Sequence, residues 1–243
     1  SFFLVLIKFF YGIFLHKADK IIVTSNAMQY NLIEKGIDNK KLFLIHNPVN
    51  KIKIRDVKNY IRYPGKGLRL VFAGRLVYQK GIDRVLPIIK NIKDCHLTII
   101  GNGSMKPLLE KMIVDLNIKN KINFINYSDN LNEYIASSDY LLLPSRWEGL
   151  PNIALESLML GTPVISFCEI TGLNDIKLLV DKNDLFLCKN EEEMQNLLFN
   201  LEPRKDINNI SLRNILLKKF NSPEVYSKKI LKIMEDLIIE KRN

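Results

Sequence analysis

"LRLVFAGRLVYQKGIDRVL", residues 68–86, runs from an apolar segment into a glycine, an arginine, a lysine and a second glycine before apolar residues resume at helical spacing. The segment ending at Gly74 is apolar on both faces, as a strand covered by helices on both sides must be. Lys80-Gly81 is expected to open the following helix. Working outward, seven further runs have the same character: 20–24, 42–46, 95–100, 121–125, 140–144, 162–167 and 185–188. Between them, residues 80–91, 104–116, 129–138, 151–160 and 191–200 carry apolar positions at helical spacing. Strand and helix in alternation predict an α/β fold with a Rossmann-like, doubly wound parallel sheet.

The composition is that of a globular chain: 243 residues, 47% of them hydrophobic. This is enough for one good core, or one domain with part of another. The net charge of +10 points to an anionic partner, which on charge alone is nucleic acid, an anionic membrane surface or a phosphorylated small molecule. Cys95, Cys168 and Cys188 are odd in number, far apart and set in or beside apolar runs, so they are expected to be reduced core residues of a cytoplasmic protein.

The chain divides into residues 1–50, a polar basic connection at 51–67, a sheet-forming body at 68–220 and a helix at 221–243. Residues 1–15, "SFFLVLIKFFYGIFL", are apolar but fewer than the roughly 20 needed to cross a bilayer. They are expected to form a helix whose partner surface lies in sequence upstream of a fragment, or a helix lying on a membrane.

Three motifs stand at ends of predicted strands. In "GRLVYQKG", 74–81, Arg75 and Lys80 follow a strand end, where ligands of open α/β sheets collect and where a helix start offers N–H groups to an anion. A forked guanidinium with a mobile ammonium suits a diphosphate, although an ordinary surface pair beside a tight turn would look the same. "IIGNG", 99–103, places Gly101 and Gly103 after the next strand, for close approach to a ligand or simply for a turn. "PSRWEGLPNIALESLMLGTPV", 144–164, carries Glu148 on a loop and Glu156 one and a half turns into a helix that Pro151 opens. Paired carboxylates alone fit a hydrolase, a metal site or a sugar binder. Glycosidases use such a pair, but hydrolysis of a plain glycoside needs no arginine and lysine at a strand end.

In this order, the motifs resemble the nucleotide-sugar-binding carboxy-terminal domain of retaining glycosyltransferases of family 4, the GT-B-fold group with a glutamate, seven residues, glutamate signature. The likeness runs from about residue 66 to about 200, and residues 18–50 resemble the segment crossing from that family's acceptor lobe, most of which is absent here. The resemblance implies transfer of a sugar from a UDP- or GDP-sugar to a hydroxyl of a glycan or lipid-linked acceptor. It implies no nucleic-acid partner and a role in cell-surface polysaccharide synthesis, while the net charge and the apolar residues 1–15 point to a cytoplasmic protein peripheral to the inner face of a membrane. Glu148 would face the sugar and Glu156 the ribose. Gly74, Arg75, Lys80, Gly101, Gly103, Gly149, Leu150, Pro151 and Asn152 would complete the donor site, with Glu148, Arg75 and Lys80 serving catalysis. No cofactor is implied, and no DxD sequence is present, so no metal is expected; Arg75, Lys80 and the helix N-terminus would neutralise the leaving diphosphate.

The pattern is altered in two places. Asn47-Pro48 stands where Asn-Gly is usual, and a single glycine, Gly172, follows the last motif where a pair is usual. His16, His46 and His96 show no metal spacing and are read as structural, while Trp147 is either a core anchor or a wall of the donor pocket. An epimerase or sugar-phosphate synthase on the same fold, and a non-catalytic nucleotide-binding module, are the alternative functions.

Overall fold

Among the described residues, eight parallel strands form where the apolar runs predict them. The computed structural model describes residues 12–49, 67–204, 210–220 and 222–242. Most of the amino-terminal apolar segment and residues 51–66 of the expected connection lie outside the described residues; residues 12–17 are helical. β1 (Ile21–Val23) and β2 (Leu42–Leu44) pair in a small sheet of their own, linked through α1 (Asn26–Glu34). The main sheet contains β3 (Leu68–Ala73), β4 (Cys95–Ile100), β5 (Ile122–Ile125), β6 (Tyr140–Leu143), β7 (Val164–Phe167) and β8 (Leu185–Cys188), in the order β5-β4-β3-β6-β7-β8. Numbered from its own first strand this is 3-2-1-4-5-6, the doubly wound order. The chain reverses its direction of travel across the sheet between β3 and β6.

Alternate strand residues feed two cores. Leu68, Leu70 and Phe72 of β3 pack on one face with α2 (Leu86–Asn91), α3 (Lys106–Asp115) and α7 (Glu191–Asn200). Val71 and Ala73 pack on the other with α4 (Leu131–Ala136), α5 (Asn152–Met159) and α8 (Ile210–Lys219), whose Leu212 and Leu216 are buried together with Phe220 just beyond it. Complete burial of side chains this size stabilises by about 1.5–3 kcal/mol each, so both faces are held. α6 (Asn174–Lys177) is a single turn, and α9 (Pro223–Arg242) has no buried residue.

The chain from 18 to 49 is tied to the main sheet by polar contacts. Buried Asp175 accepts from the Asn26 N–H at 2.9 Å, and its carboxylate lies 3.2 Å from His46 Nε2. The His46 ring meets Phe220 edge-on at 5.1 Å. Lys20 pairs with Glu240 and Lys241 with Asp19, which brings α9 back against the first sheet.

Two expectations change. Cys95 and Cys188 are buried, and burial pushes their thiols up to about 11 and about 12, but Cys168 is exposed because it lies just past the end of β7. Lys80-Gly81 does not open a helix. Tyr78–Lys80 and Ile82–Arg84 are separate 3₁₀ turns, and the helix begins at Leu86 with Pro87 in its first turn. Gly81 sits at φ +65° between the turns, and a Cβ there would lie 2.1 Å from the Pro144 carbonyl oxygen. The loop after β6 presses on this point, so the chain bends beneath it before it can coil.

Candidate active site

A cavity of about 770 Å³ opens at the carboxyl ends of β3, β4, β5 and β6, beside the point where strand order reverses. Each of these strands delivers part of its wall: Gly74 and Arg75 after β3, Gly101 and Asn102 after β4, Asn126 to Ser128 after β5, and Glu148, Leu150 to Ile153 and Glu156 after β6. Of the residues singled out in sequence, Gly74, Arg75, Lys80, Gly101, Glu148, Leu150, Pro151, Asn152 and Glu156 line the cavity.

Gly103 and Gly149 lie outside that lining. A Cβ on Gly103 would fall 2.4 Å from the Leu76 carbonyl oxygen, and one on Gly101 would fall 1.9 Å from that of Gly74. The turns after β3 and β4 press backbone to backbone, with Leu76 N–H donating to Asn102 O at 2.9 Å and Met105 N–H to Leu76 O at 2.8 Å. The two glycines thus let these turns close on one another. Gly149 instead faces Thr24 and Met28 of the amino-terminal segment, and Gly172 packs where a Cβ would meet the Gly149 carbonyl oxygen at 1.7 Å.

Glu148 is a largely desolvated carboxylate in a salt bridge with Lys80, the two side chains being 13% and 17% exposed. Ser145 Oγ also donates to Glu148 Oε1 at 3.0 Å. Glu156 lines the same wall from α5, and burial raises its carboxyl above the usual carboxylate value. Pro151 is the N-cap of α5, one residue earlier than its expected first-turn place, and no side chain among the described residues caps the helix. The first N–H groups of this helix, on Asn152 and Ile153, belong to residues that line the cavity. Arg75 is exposed at the rim and forms no ion pair among the described residues. The arrangement therefore offers one uncommitted guanidinium, a lysine within reach, an uncapped helix N-terminus and two carboxylates around one space.

The loop carrying Glu148 is braced. Arg146 grips Asp83 with two nitrogens, at 2.9 and 2.6 Å, and its guanidinium lies 3.9 Å from the Tyr78 ring centroid. Arg146 N–H donates to Gln79 O, and Gln79 Nε2 to Trp147 O. Trp147 proves neither core anchor nor cavity wall: it is 54% exposed, with its ring 6.1 Å from that of Tyr78.

Asn47, Ser145 and the Asn126–Ser128 turn are site residues that sequence reasoning missed. Asn47 Nδ2 donates to Leu150 O at 3.0 Å, which brings the crossing segment to the cavity despite Pro48. Ser145 carried a signal, the Ser-x-x-Glu spacing by which a hydroxyl can reach the later carboxylate; the turn after β5 carried none.

Comparisons with known proteins agree with this architecture. The amylovoran biosynthesis glycosyltransferase AmsD of Erwinia amylovora is 30% identical over 168 residues, 63% of this chain and 47% of AmsD. The chain spans about half the length, or less, of the curated relatives it matches. Among solved structures, Anabaena HepE in complex with UDP superposes with a TM-score of 0.71 at 16% identity, over 90% of this chain and 64% of HepE. The apo form of the lipopolysaccharide outer core galactosyltransferase WaaB does so with a TM-score of 0.68 at 18% identity, over 90% of this chain and 62% of WaaB. The fold is therefore that of GT-B glycosyltransferase structures. Residues 54–198 match the family described as glycosyl transferases group 1, more than half of the chain, and the chain belongs to that family.

Proposed function

We propose that this chain forms the donor-binding part of a retaining glycosyltransferase that moves a sugar from a nucleoside-diphosphate sugar to a hydroxyl of a glycan or lipid-linked acceptor. The observation that carries the reading is the convergence of Arg75, Lys80, Glu148, Glu156 and the uncapped start of α5 on one cavity at the strand ends. In the reaction, the bond from the anomeric carbon to the diphosphate oxygen breaks and its electron pair leaves with the diphosphate. The acceptor oxygen bonds to that carbon, and its proton passes to the departing diphosphate. Arg75, Lys80 and the helix N-terminus meet the growing negative charge on the diphosphate. Glu156 accepts hydrogen bonds from the ribose, and Glu148 faces the sugar as positive charge develops there. UDP is the first nucleotide to test, since a structural neighbour holds it, with GDP as the other arm.

Membership of family 4, retention at the anomeric carbon, a place in cell-envelope polysaccharide synthesis and a location at the inner face of a membrane all belong to this proposal; AmsD, a biosynthesis glycosyltransferase, supports the biosynthetic role alone. Replacing Arg75 by alanine is expected to weaken nucleoside diphosphate binding by about 1.5–3 kcal/mol, the range for hydrogen bonds to charged groups. Equal calorimetric affinities of the wild type and variant for both UDP and GDP would refute the diphosphate site.

A further inference from the structure

Two donors hold the same oxygen of Glu148, and they differ in kind. Lys80 reaches Oε1 from the cavity side, its stem lying over Gly74 with Cε 3.7 Å from where a Cβ on that glycine would be. It is a mobile charge in the path of any diphosphate settling on Gly74 and Arg75, and such an anion competes for it directly. Ser145 reaches Oε1 at 3.0 Å from the protein interior, is completely buried, and does not line the cavity. Nothing that enters the cavity displaces it.

We infer that Ser145 is the positioning residue for Glu148, keeping its carboxylate aimed when Lys80 is drawn to the diphosphate. The inference rests on the proposed reading of the cavity as a donor site. Glutamate has three rotatable side-chain bonds, so without a second tether the departure of Lys80 would free the carboxylate to swing away from the sugar. The tether itself is fixed, because Arg146 and Trp147, between Ser145 and Glu148, are pinned to the 78–83 turn by the Arg146–Asp83 fork and the Gln79–Trp147 hydrogen bond. The same turn carries Lys80, so the anchored and the mobile donor share one frame. With both donors on Oε1, Oε2 is the oxygen left to meet the substrate.

The test compares wild type, Ser145→Ala and Ser145→Thr in the whole natural protein. Binding of UDP and GDP is measured by calorimetry, and kcat and KM by release of the nucleoside diphosphate from UDP- and GDP-sugars. Ser145→Ala is expected to keep bare nucleotide affinity within about twofold while kcat falls by about tenfold to a hundredfold, as befits loss of a hydrogen bond to a charged group. Ser145→Thr, which keeps the hydroxyl, is expected to recover most of kcat; thermal melting of each variant identifies any that fails to fold. Wild-type kcat in a folded Ser145→Ala would overturn the inference. So would a loss of bare nucleotide affinity as large as the loss of kcat, or a folded Ser145→Thr as slow as the alanine variant. A wild type that neither binds UDP or GDP nor turns over any nucleotide sugar would overturn the donor-site reading itself.

Discussion

Glu156 shows how a single residue carries conflicting demands. It sits on the cavity wall of α5, and burial alone raises its carboxyl above the ordinary value of 4.5. A carboxyl that holds its proton more tightly when folded makes the native state relatively less stable once it ionises. The penalty is absent below the unfolded value, grows as pH rises through the folded one and is complete above it. Glu156→Gln is therefore expected to melt at a higher temperature than wild type near pH 7, with the difference vanishing as pH falls below 4.5. The same change should weaken nucleoside diphosphate binding through loss of the ribose contact. Melting curves that differ equally at all pH values would show that the carboxyl is not the cause. Buried Asp184 has one oxygen without a hydrogen bond among the described residues, and its carboxyl is raised by burial in the same sense.

Between elements, the join of β3 to the turn before β6 depends on Asp139, whose side chain is fully buried. Its carboxylate accepts from Arg69 N–H at 2.7 Å, Arg69 Nε at 3.0 Å and Arg204 N–H at 2.8 Å, besides pairing with the Arg69 guanidinium. One side chain thus holds the strand that ends at Gly74, the strand that leads to Glu148 and the chain running toward α8. Removing the buried carboxylate leaves the Arg69 and Arg204 N–H groups without their acceptor and the partly exposed Arg69 guanidinium without its partner. Asp139→Ala is expected to lower stability by about 3–5 kcal/mol, read as a lower denaturant midpoint at unchanged slope. A shift within about 0.5 kcal/mol, the range of ordinary surface changes, would deny Asp139 this role. Arg84 makes a similar join nearer the surface: it pairs with Glu169 and Glu191, with its guanidinium 3.7 Å from the Phe167 ring centroid.

For the whole molecule, net charge and surface chemistry point outward from the cavity. The chain carries +10, and α9 exposes Leu231, Met234 and Ile238 at helical spacing beside Lys228, Lys229 and Lys232. Among the described residues no helix is long and apolar enough to cross a membrane. In the proposed attachment to a membrane surface, these features act electrostatically with an apolar component. The natural protein is expected to co-sediment with vesicles rich in anionic lipid, less with neutral ones, and progressively less as salt rises through the range where the screening length falls below about 10 Å. Sedimentation indifferent to lipid charge would remove the membrane from the proposal.

The sequence by itself determined the eight strands of the described residues, the α/β class and half of the cavity wall. Each of these follows from local chemistry: an apolar run long enough for a strand, polar residues soon after it and, after β3 and β4, a glycine where the run ends. In a parallel sheet those strand ends share an edge, so residues far apart in the chain become neighbours once the alternation is recognised. The tertiary structure alone decided what presses on what. The Pro144 carbonyl at Gly81 replaced an expected helix start with two 3₁₀ turns, and Gly103 packs on the Leu76 backbone and Gly149 against the Thr24 and Met28 side chains, outside the cavity lining. The Lys80–Glu148 salt bridge and the Asp175–His46 contact join residues 68 and 129 positions apart. Periodicity reports which face of an element is buried, but not which side chains meet across two elements; those meetings depend on strand order and on distances set by packing.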